Sequence, residues 1–463
     1  MKCLVNFSTP QLHKIHTGKV RDSIRIDSTT RMIVVTDRLS AFDSVLKTPI
    51  PHKGAVLNGI ANFWFEKTEP IIKNHFVKMI DPNITLVKEA IPIRVEMIVR
   101  GYLTGSMWRG YRKGQREFSG VEVPDEMRRN QRFPKPIVTP TTKEKSDREI
   151  SPADLVKEGW VEQKTYERME QVSLELFKLG TRFLAEQGII LVDTKYEFGL
   201  LDGELILIDE IHTPDSSRFW RSDDHQKEPE QVEQIDKEYV RQWLLTHKVD
   251  DLYPDTLPED VVQETSRRYL EIYEMVTGKQ FEIREHESIS ARMCQNLVSN
   301  GLIKEGYVAI VMGSSSDLEH CRKIQSYIEQ YDIMTDLRIV SAHKNGEDIL
   351  QLAREYNNSI EPGAVIAVAG RSNGLGGALA ANLNLPVCNC PPFKDNLDLI
   401  VNVNSSLMMP SKTPAATVVH PDNAAHAALR SLNIRRLRDK FTQEIAEMKS
   451  GLQQADRDIR GKS

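Results

Sequence analysis

Three loops in the last third of the sequence carry residue types that can receive a phosphate and move a proton. GSSSD (residues 313–317) offers a glycine, three hydroxyls and a helix start, which together can receive a phosphate; Ser314 and Asp317 also have the spacing of a capping box. SAHKNG (341–346) places an imidazole beside an ammonium group at His343 and Lys344, a pair equally at home on an ordinary surface. AGRSNGLGG (369–377) follows an apolar run and resembles a dinucleotide fingerprint, but the G-x-G-x-x-G test fails, because Leu379 stands where the third glycine belongs. A tight turn and a ligand loop both remain open for it.

A second set of groups lies in the first half. HTGKVRD (16–22) holds a Gly-Lys pair without being a P-loop: His13 stands where its first glycine belongs, and Val20 where Ser or Thr belongs. DRLSAFD (37–43), RGYLTGS (100–106), DTKYEFG (193–199) and DEIHTPDSSRFW (209–220) add acids, bases and hydroxyls at expected strand ends. Glu197 and Asp209 flank an expected hairpin, which can set both carboxylates on one Mg²⁺ together with nucleotide phosphates.

The elements that must position these groups fall into two patterns. Residues 19–50 alternate apolar and polar, as does Ile91–Leu103, which predicts an antiparallel sheet. Pro124–Lys145, rich in Pro, Arg and Lys, reads as a long surface loop. Ser151-Pro152 starts a helical stretch that runs to Gly188, and two short strands around a turn follow. Residues 227–300 are charged and mostly helical. From residue 306, strands alternate with helices, which implies a parallel α/β sheet with its ligands at the carboxyl ends of the strands.

The chain has 463 residues and a formal net charge of −5, which gives no electrostatic case for nucleic acid or an anionic membrane. There is no signal-peptide h-region and no apolar stretch of membrane-spanning length. The five cysteines are few and scattered, so free thiols in a reducing, cytoplasmic setting are expected; Cys388 and Cys390 lack a second ligand pair.

Taken together, GSSSD, SAHK and AGRSNGLGGALA resemble the aminoimidazole ribonucleotide carboxylase family over most of residues 306–440. SAHK with AGRSNGLG resembles the direct carboxylases; the mutase type, acting on the N5-carboxylated ribotide, usually reads SAHR and AGGAAHLPG. Gly377-Ala378 departs from the GLGP expected next. The resemblance implies a carbon dioxide pocket at Ser372 and Gly374, His343 as acid/base, and Lys344 as positive charge for carboxylate or ribose phosphate. It places Ser314, Ser316, Asp317 and Ser341 on that phosphate, with no ATP or metal in this half.

Residues 8–283, through SAFD, IPIRVEMIVRGYLTGS, LVDTKYEFG and HTPDSSRFW, resemble phosphoribosylaminoimidazole-succinocarboxamide synthase, SAICAR synthetase. This implies ATP phosphates on Lys19 and Mg²⁺ or nucleotide on Glu197 and Asp209. The carboxyaminoimidazole ribotide falls to Asp43, Arg100, Ser106, Asp147, Asp193, Lys195 and Arg218. The residues that bind L-aspartate stay unassigned. The implied fold is an α+β, kinase-like ATP-binding synthetase domain (1–283), a helical connector (284–305), and a three-layer α/β, flavodoxin-like carboxylase domain with a parallel sheet (306–463). The family implies a homo-octamer built through that last domain. The rival readings are a mutase in the C-terminal half, a non-catalytic nucleotide-binding scaffold, or a dehydrogenase fused to a kinase-like domain.

Overall fold

The computed structural model describes residues 3–42, 44–144, 148–232, 235, 237–283, 288–370 and 374–461. The chain divides into two compact units: Met1–Val5 with Lys14–Ile289, and Asn6–His13 with Ser290–Ser463. Among the described residues, no helix is long and apolar enough to cross a membrane.

The first unit is α+β and is built on two large antiparallel sheets, with two further two-stranded pairs among the described residues. One orders the strands His13–Thr17, Arg21–Arg25, Thr30–Val35, Ile84–Lys88 and Phe76–Asp81, and packs the helix Lys53–Thr68 against its buried face. In the other, Ile91–Tyr102 and Ile189–Leu201 form the centre. Side chains alternate across a strand. Val95, Met97 and Val99 therefore enter the core with Tyr196 and Phe198, beneath the helix Gln163–Ala185. That helix buries Tyr166, Met169, Val172, Leu176 and Phe177, the stripe expected of its 3.6-residue period. The alternation leaves Glu96, Ile98 and Arg100 on the opposite face, in register with Glu197, Lys195 and Asp193.

Two expectations need correction. Pro124–Lys145 is not a surface loop throughout: Arg132–Thr142 is an eleven-residue strand paired with Ile91–Tyr102. Its prolines are tolerated because its other neighbour is only the two-residue strand Arg148–Glu149, so most of it is a sheet edge. The Pro140 carbonyl faces that side and accepts from Ile150 N. Of the two strands expected after Gly188, one is long: Ile189–Leu201 runs thirteen residues, because it pairs with Ser217–Arg221 along its first half and Glu204–Ile208 along its second.

The second unit is a parallel sheet in the order Met334–Ile339, Tyr307–Met312, Gly363–Val368, Val387–Asn389, Ala416–Thr417. All six residues of Tyr307–Met312 are buried, as a central parallel strand covered on both faces requires. Val308, Ile310 and Met312 enter one apolar cluster, and Tyr307, Ala309 and Val311 another, so helices form a layer on each side.

Residues 6–13 bind within this second unit. Thr9 Oγ1 donates to Glu361 Oε1 at 2.5 Å, and Gln11 exchanges two hydrogen bonds with the Lys304 backbone at 2.7 and 2.9 Å. Glu361 is 4% exposed. Losing a partner of a buried carboxylate costs about 1–3 kcal/mol. Thr9→Val is accordingly expected to lower the melting temperature of the carboxyl-terminal unit by a few degrees in calorimetry; an unchanged transition would refute this anchoring.

Candidate active sites

In the first unit the polar stripe of the central strands forms the wall of a cavity of about 430 Å³. Arg100, Ser106, Asp193, Lys195 and Arg218 all line it. Asp193 pairs with Arg100 on one side and Arg218 on the other, which sets one carboxylate between two guanidinium groups. Arg218 Nη1 donates to Asp193 Oδ2 at 2.7 Å; Arg100 Nη1 lies 3.8 Å from the same oxygen, and its Nε donates to Thr139 Oγ1 at 2.9 Å. Burial lowers the Arg100 pKa, an effect that Asp193 only partly offsets. A planar fork fixed in this way is suited to bidentate capture of phosphate or carboxylate. Asp193 orients the arginines.

Beyond Lys195 the stripe becomes a charge cluster. Lys195 Nζ donates to Glu96 Oε1 at 2.7 Å and Glu197 Oε1 at 3.0 Å, and Lys143 also pairs with Glu197. Asp209 follows the strand Glu204–Ile208 in a left-handed conformation, φ 66°, and accepts from Arg21 Nη1 at 3.0 Å. Burial and the Asp209 carboxylate push Glu197 up to about 7, against Lys195 and Lys143. Burial also opposes ionisation of Asp209, but Arg21, Lys195 and Lys143 outweigh it and hold that group well below the usual carboxylate range. Two abutting carboxylates, one reluctant to ionise, fit a hard divalent cation. Among the described residues no group of three or more His, Cys, Asp or Glu could hold a metal. Lys19 is exposed in the turn between His13–Thr17 and Arg21–Arg25, with its carbonyl held by Arg38 Nε at 3.2 Å.

In the second unit, three loops leave adjacent strands at their carboxyl ends. Ser314 caps the 3₁₀ turn Ser315–Asp317; its Oγ accepts from Ser316 N at 3.3 Å and from Ser316 Oγ at 2.9 Å. Asp317 is raised by burial. Ser341 is held in a turn by Asn345, whose Oδ1 accepts from Ser341 N at 2.8 Å, and His343 and Lys344 are exposed. Gly374 opens the helix Gly374–Asn382, and a Cβ there would stand 3.1 Å from the His343 ring. The glycine loop and the histidine loop therefore meet. Gly376 serves packing instead. A Cβ on it would collide with Asn389 Oδ1 at 1.8 Å, so its hydrogen admits the close approach of helix to strand. Asp43, Asp147 and Ser372 lie outside the described residues.

These geometries can be set beside known proteins. The SAICAR synthetase family model matches residues 14–256, more than half of the chain. The chain belongs to the SAICAR synthetase family. The AIR carboxylase model matches residues 307–455, so the chain fuses a SAICAR synthetase to an AIR carboxylase domain and is an enzyme of purine biosynthesis. Phosphoribosylaminoimidazole-succinocarboxamide synthase of Bacteroides thetaiotaomicron is 44% identical over 310 residues, 65% of this chain and 99% of its own. The enzyme of the same name from Azobacteroides pseudotrichonymphae is 43% identical over 309 residues, 65% of this chain and 95% of its own. SAICAR synthase of Saccharomyces cerevisiae, solved in complex with SAICAR, aligns over 60% of this chain and all of its own, with 33% identity and a TM-score of 0.55.

The synthetase site holds groups that sequence reading missed. Glu96 and Lys143 belong to the charge cluster, Arg21 anchors Asp209, and Lys53, Lys237 and Arg241 surround the cavity's far end or line it. Glu96 had a signal: a charged residue at an alternating position of its strand, in step with Arg94 and Arg100. Gly105 supports the same site from behind. Its φ is 59°, and a Cβ would lie 2.7 Å from the Arg218 guanidinium. Gly105→Ala should therefore shift Arg218; on the expectation that Arg218 binds the ribotide, KM for the ribotide should rise about tenfold, the effect of about 1.4 kcal/mol, and an unchanged KM would contradict that expectation.

Proposed function

We propose that the chain carries out two consecutive reactions of purine synthesis, the synthetase between residues 1 and 283, apart from residues 6–13 that belong to the second unit, and the carboxylase between 306 and 463, with 284–305 as connector. In the first reaction aminoimidazole ribonucleotide is carboxylated directly by carbon dioxide, without ATP. In the second, ATP phosphorylates the new carboxylate, and L-aspartate displaces phosphate to give the succinocarboxamide ribonucleotide, ADP and phosphate.

The observation that carries the ligase reading is the in-register row Arg100–Asp193–Arg218, which lines the cavity with Lys195, together with the carboxylates Glu96 and Glu197 that Lys195 binds and Asp209 beside them. The row provides paired guanidinium groups for an anionic ribotide. The cluster provides ammonium groups for transferring phosphoryl oxygens and carboxylates for a metal. Glu197 and Asp209 would hold Mg²⁺, which when bound neutralises charge on the nucleotide phosphates. Lys19 reaches for those phosphates from its hairpin turn, and Ser106 assists the arginines.

In the carboxylase half, the enamine-like carbon of the aminoimidazole attacks carbon dioxide held by the glycine loop at Gly374 and Ser372. Backbone N–H and hydroxyl groups of that loop would stabilise the developing carboxylate. His343 takes the proton that must leave the ring carbon. Lys344 provides positive charge beside the carboxylate or the ribose phosphate, and Ser314, Ser316, Asp317 and Ser341 hold that phosphate. The approach of Gly374 to the His343 ring supports this assignment.

The reading also takes the chain as a cytoplasmic homo-octamer assembled through the carboxylase unit, in keeping with five free cysteines. Leu397, Ile400 and Met408, at or beside the helix Asn396–Leu407, and Met448, Leu452 and Ile459 of the helix Arg435–Arg460 are exposed, apolar surface for further copies to cover. ADP release tests the ligase directly. Sustained release should require the carboxylated ribotide, ATP, Mg²⁺ and an amine nucleophile, L-aspartate, together, and ADP formed with no ribotide present would contradict the reading.

A further inference from the structure

Part of the cavity lining comes from the start of the helix Glu238–Thr246, and Lys237 stands at its N-cap. Its surroundings are unusual for a lysine. The Asp215 carboxylate is already matched: Oδ2 accepts from Lys53 Nζ at 2.8 Å, and Oδ1 from the Tyr269 hydroxyl at 2.7 Å. Lys237 Nζ lies 3.7 Å from the same Oδ2, beyond hydrogen-bond reach. Two ammonium groups therefore share one oxygen, and Lys53 has the shorter contact. Lys53 is fully buried and lines no part of the cavity, whereas Lys237 does line it. The nearby Glu238 is engaged with Arg218 Nη2 at 3.7 Å and Arg241 Nη1 at 3.5 Å.

The charges facing Lys237 are thus Asp215, Lys53, Arg241 and, further off, Glu210. Burial is the largest influence and lowers its pKa; Asp215 raises it, Lys53 and Arg241 lower it, and Glu210 raises it, with a result of about 8. An amine that shares its counter-ion with a better-placed rival gives up its proton readily. The ligase reading supplies a need for such a group. The amino acid arrives as an ammonium ion, which has no lone pair with which to attack.

We propose that Lys237, as the free amine, accepts the proton that converts the substrate's α-ammonium group into the attacking amine. This rests on the ligase reading. The freed lone pair forms the C–N bond to the acyl carbon, and the C–O bond to phosphate breaks with its electron pair leaving on phosphate. The second amine proton departs with that phosphate. Lys237 ends as ammonium and returns its proton to solvent.

The test compares Lys237→Arg with the unchanged full-length protein, using L-aspartate or hydroxylamine as nucleophile. Hydroxylamine is already unprotonated near neutral pH and needs no base. With aspartate, kcat should fall about a hundredfold or more in the variant, with the KM for the ribotide within a few-fold. The inflection near pH 8, below which the rate of the unchanged protein falls, should disappear. Hydroxamate formation should stay near its starting rate, since arginine keeps the positive charge. Retention of rate and inflection in Lys237→Arg would overturn the proposal. So would parallel loss of hydroxamate, which would place Lys237 in binding or phosphoryl transfer. If the unchanged protein forms neither ADP nor hydroxamate, the ligase reading itself fails and the proposal with it.

Discussion

Asp209→Asn is expected to lower ATP-dependent ligation by about two to three orders of magnitude and leave carboxylation at its starting rate. Asn accepts the left-handed backbone that Asp209 adopts, φ 66°, so the strand end keeps its shape. What disappears is one charge. Arg21 retains Glu210 as a partner, and the fold keeps that anchor. Glu197, pushed up to about 7 in part by the Asp209 carboxylate, then ionises more readily, but the pair has one anion where two are needed to hold a divalent cation against nucleotide phosphates. ADP release at saturating substrates measures the loss. Equal loss of both activities would instead signify a damaged fold, and ligation that survives near its starting rate would contradict the assignment.

His343→Asn should reduce carboxylation by about two to four orders of magnitude, the usual worth of a positioned acid or base, with ligation unaffected. The imidazole stands against Gly374, where a Cβ would lie 3.1 Å from its ring. Gly374→Ala should displace the ring and cause a smaller loss of the same activity. Carboxylation that survives in His343→Asn would remove the acid/base role. If Gly374→Ala proved neutral while His343→Asn was inactive, the imidazole would act without support from the glycine loop.

Legibility in the sequence followed how local the cause was. The parallel sheet after residue 306 was readable because each strand, loop and helix start is a contiguous signal, and the three loops had only to share one edge. Glu197 and Asp209 were readable because a hairpin turn at Asp202-Gly203 brings them together. The Arg132–Thr142 strand was obscured by its prolines, whose tolerance depends on a neighbour too short to need their missing donors. The capture of residues 6–13 by the second unit depends on Glu361, about 350 positions away. Lys53 and Lys237 were invisible as well. Their meaning lies in the competition for Asp215, which no spacing along the chain expresses.

Whether one chain joins two successive reactions is decided by a two-stage incubation. Aminoimidazole ribonucleotide and bicarbonate are supplied first without ATP, and ATP, Mg²⁺ and L-aspartate are added afterwards. Carboxylated ribotide should form in the first stage, and succinocarboxamide ribonucleotide only after the addition. Acceptance of the N5-carboxylated ribotide alone in the first stage would contradict direct carboxylation, and failure of the second stage would contradict the ligase.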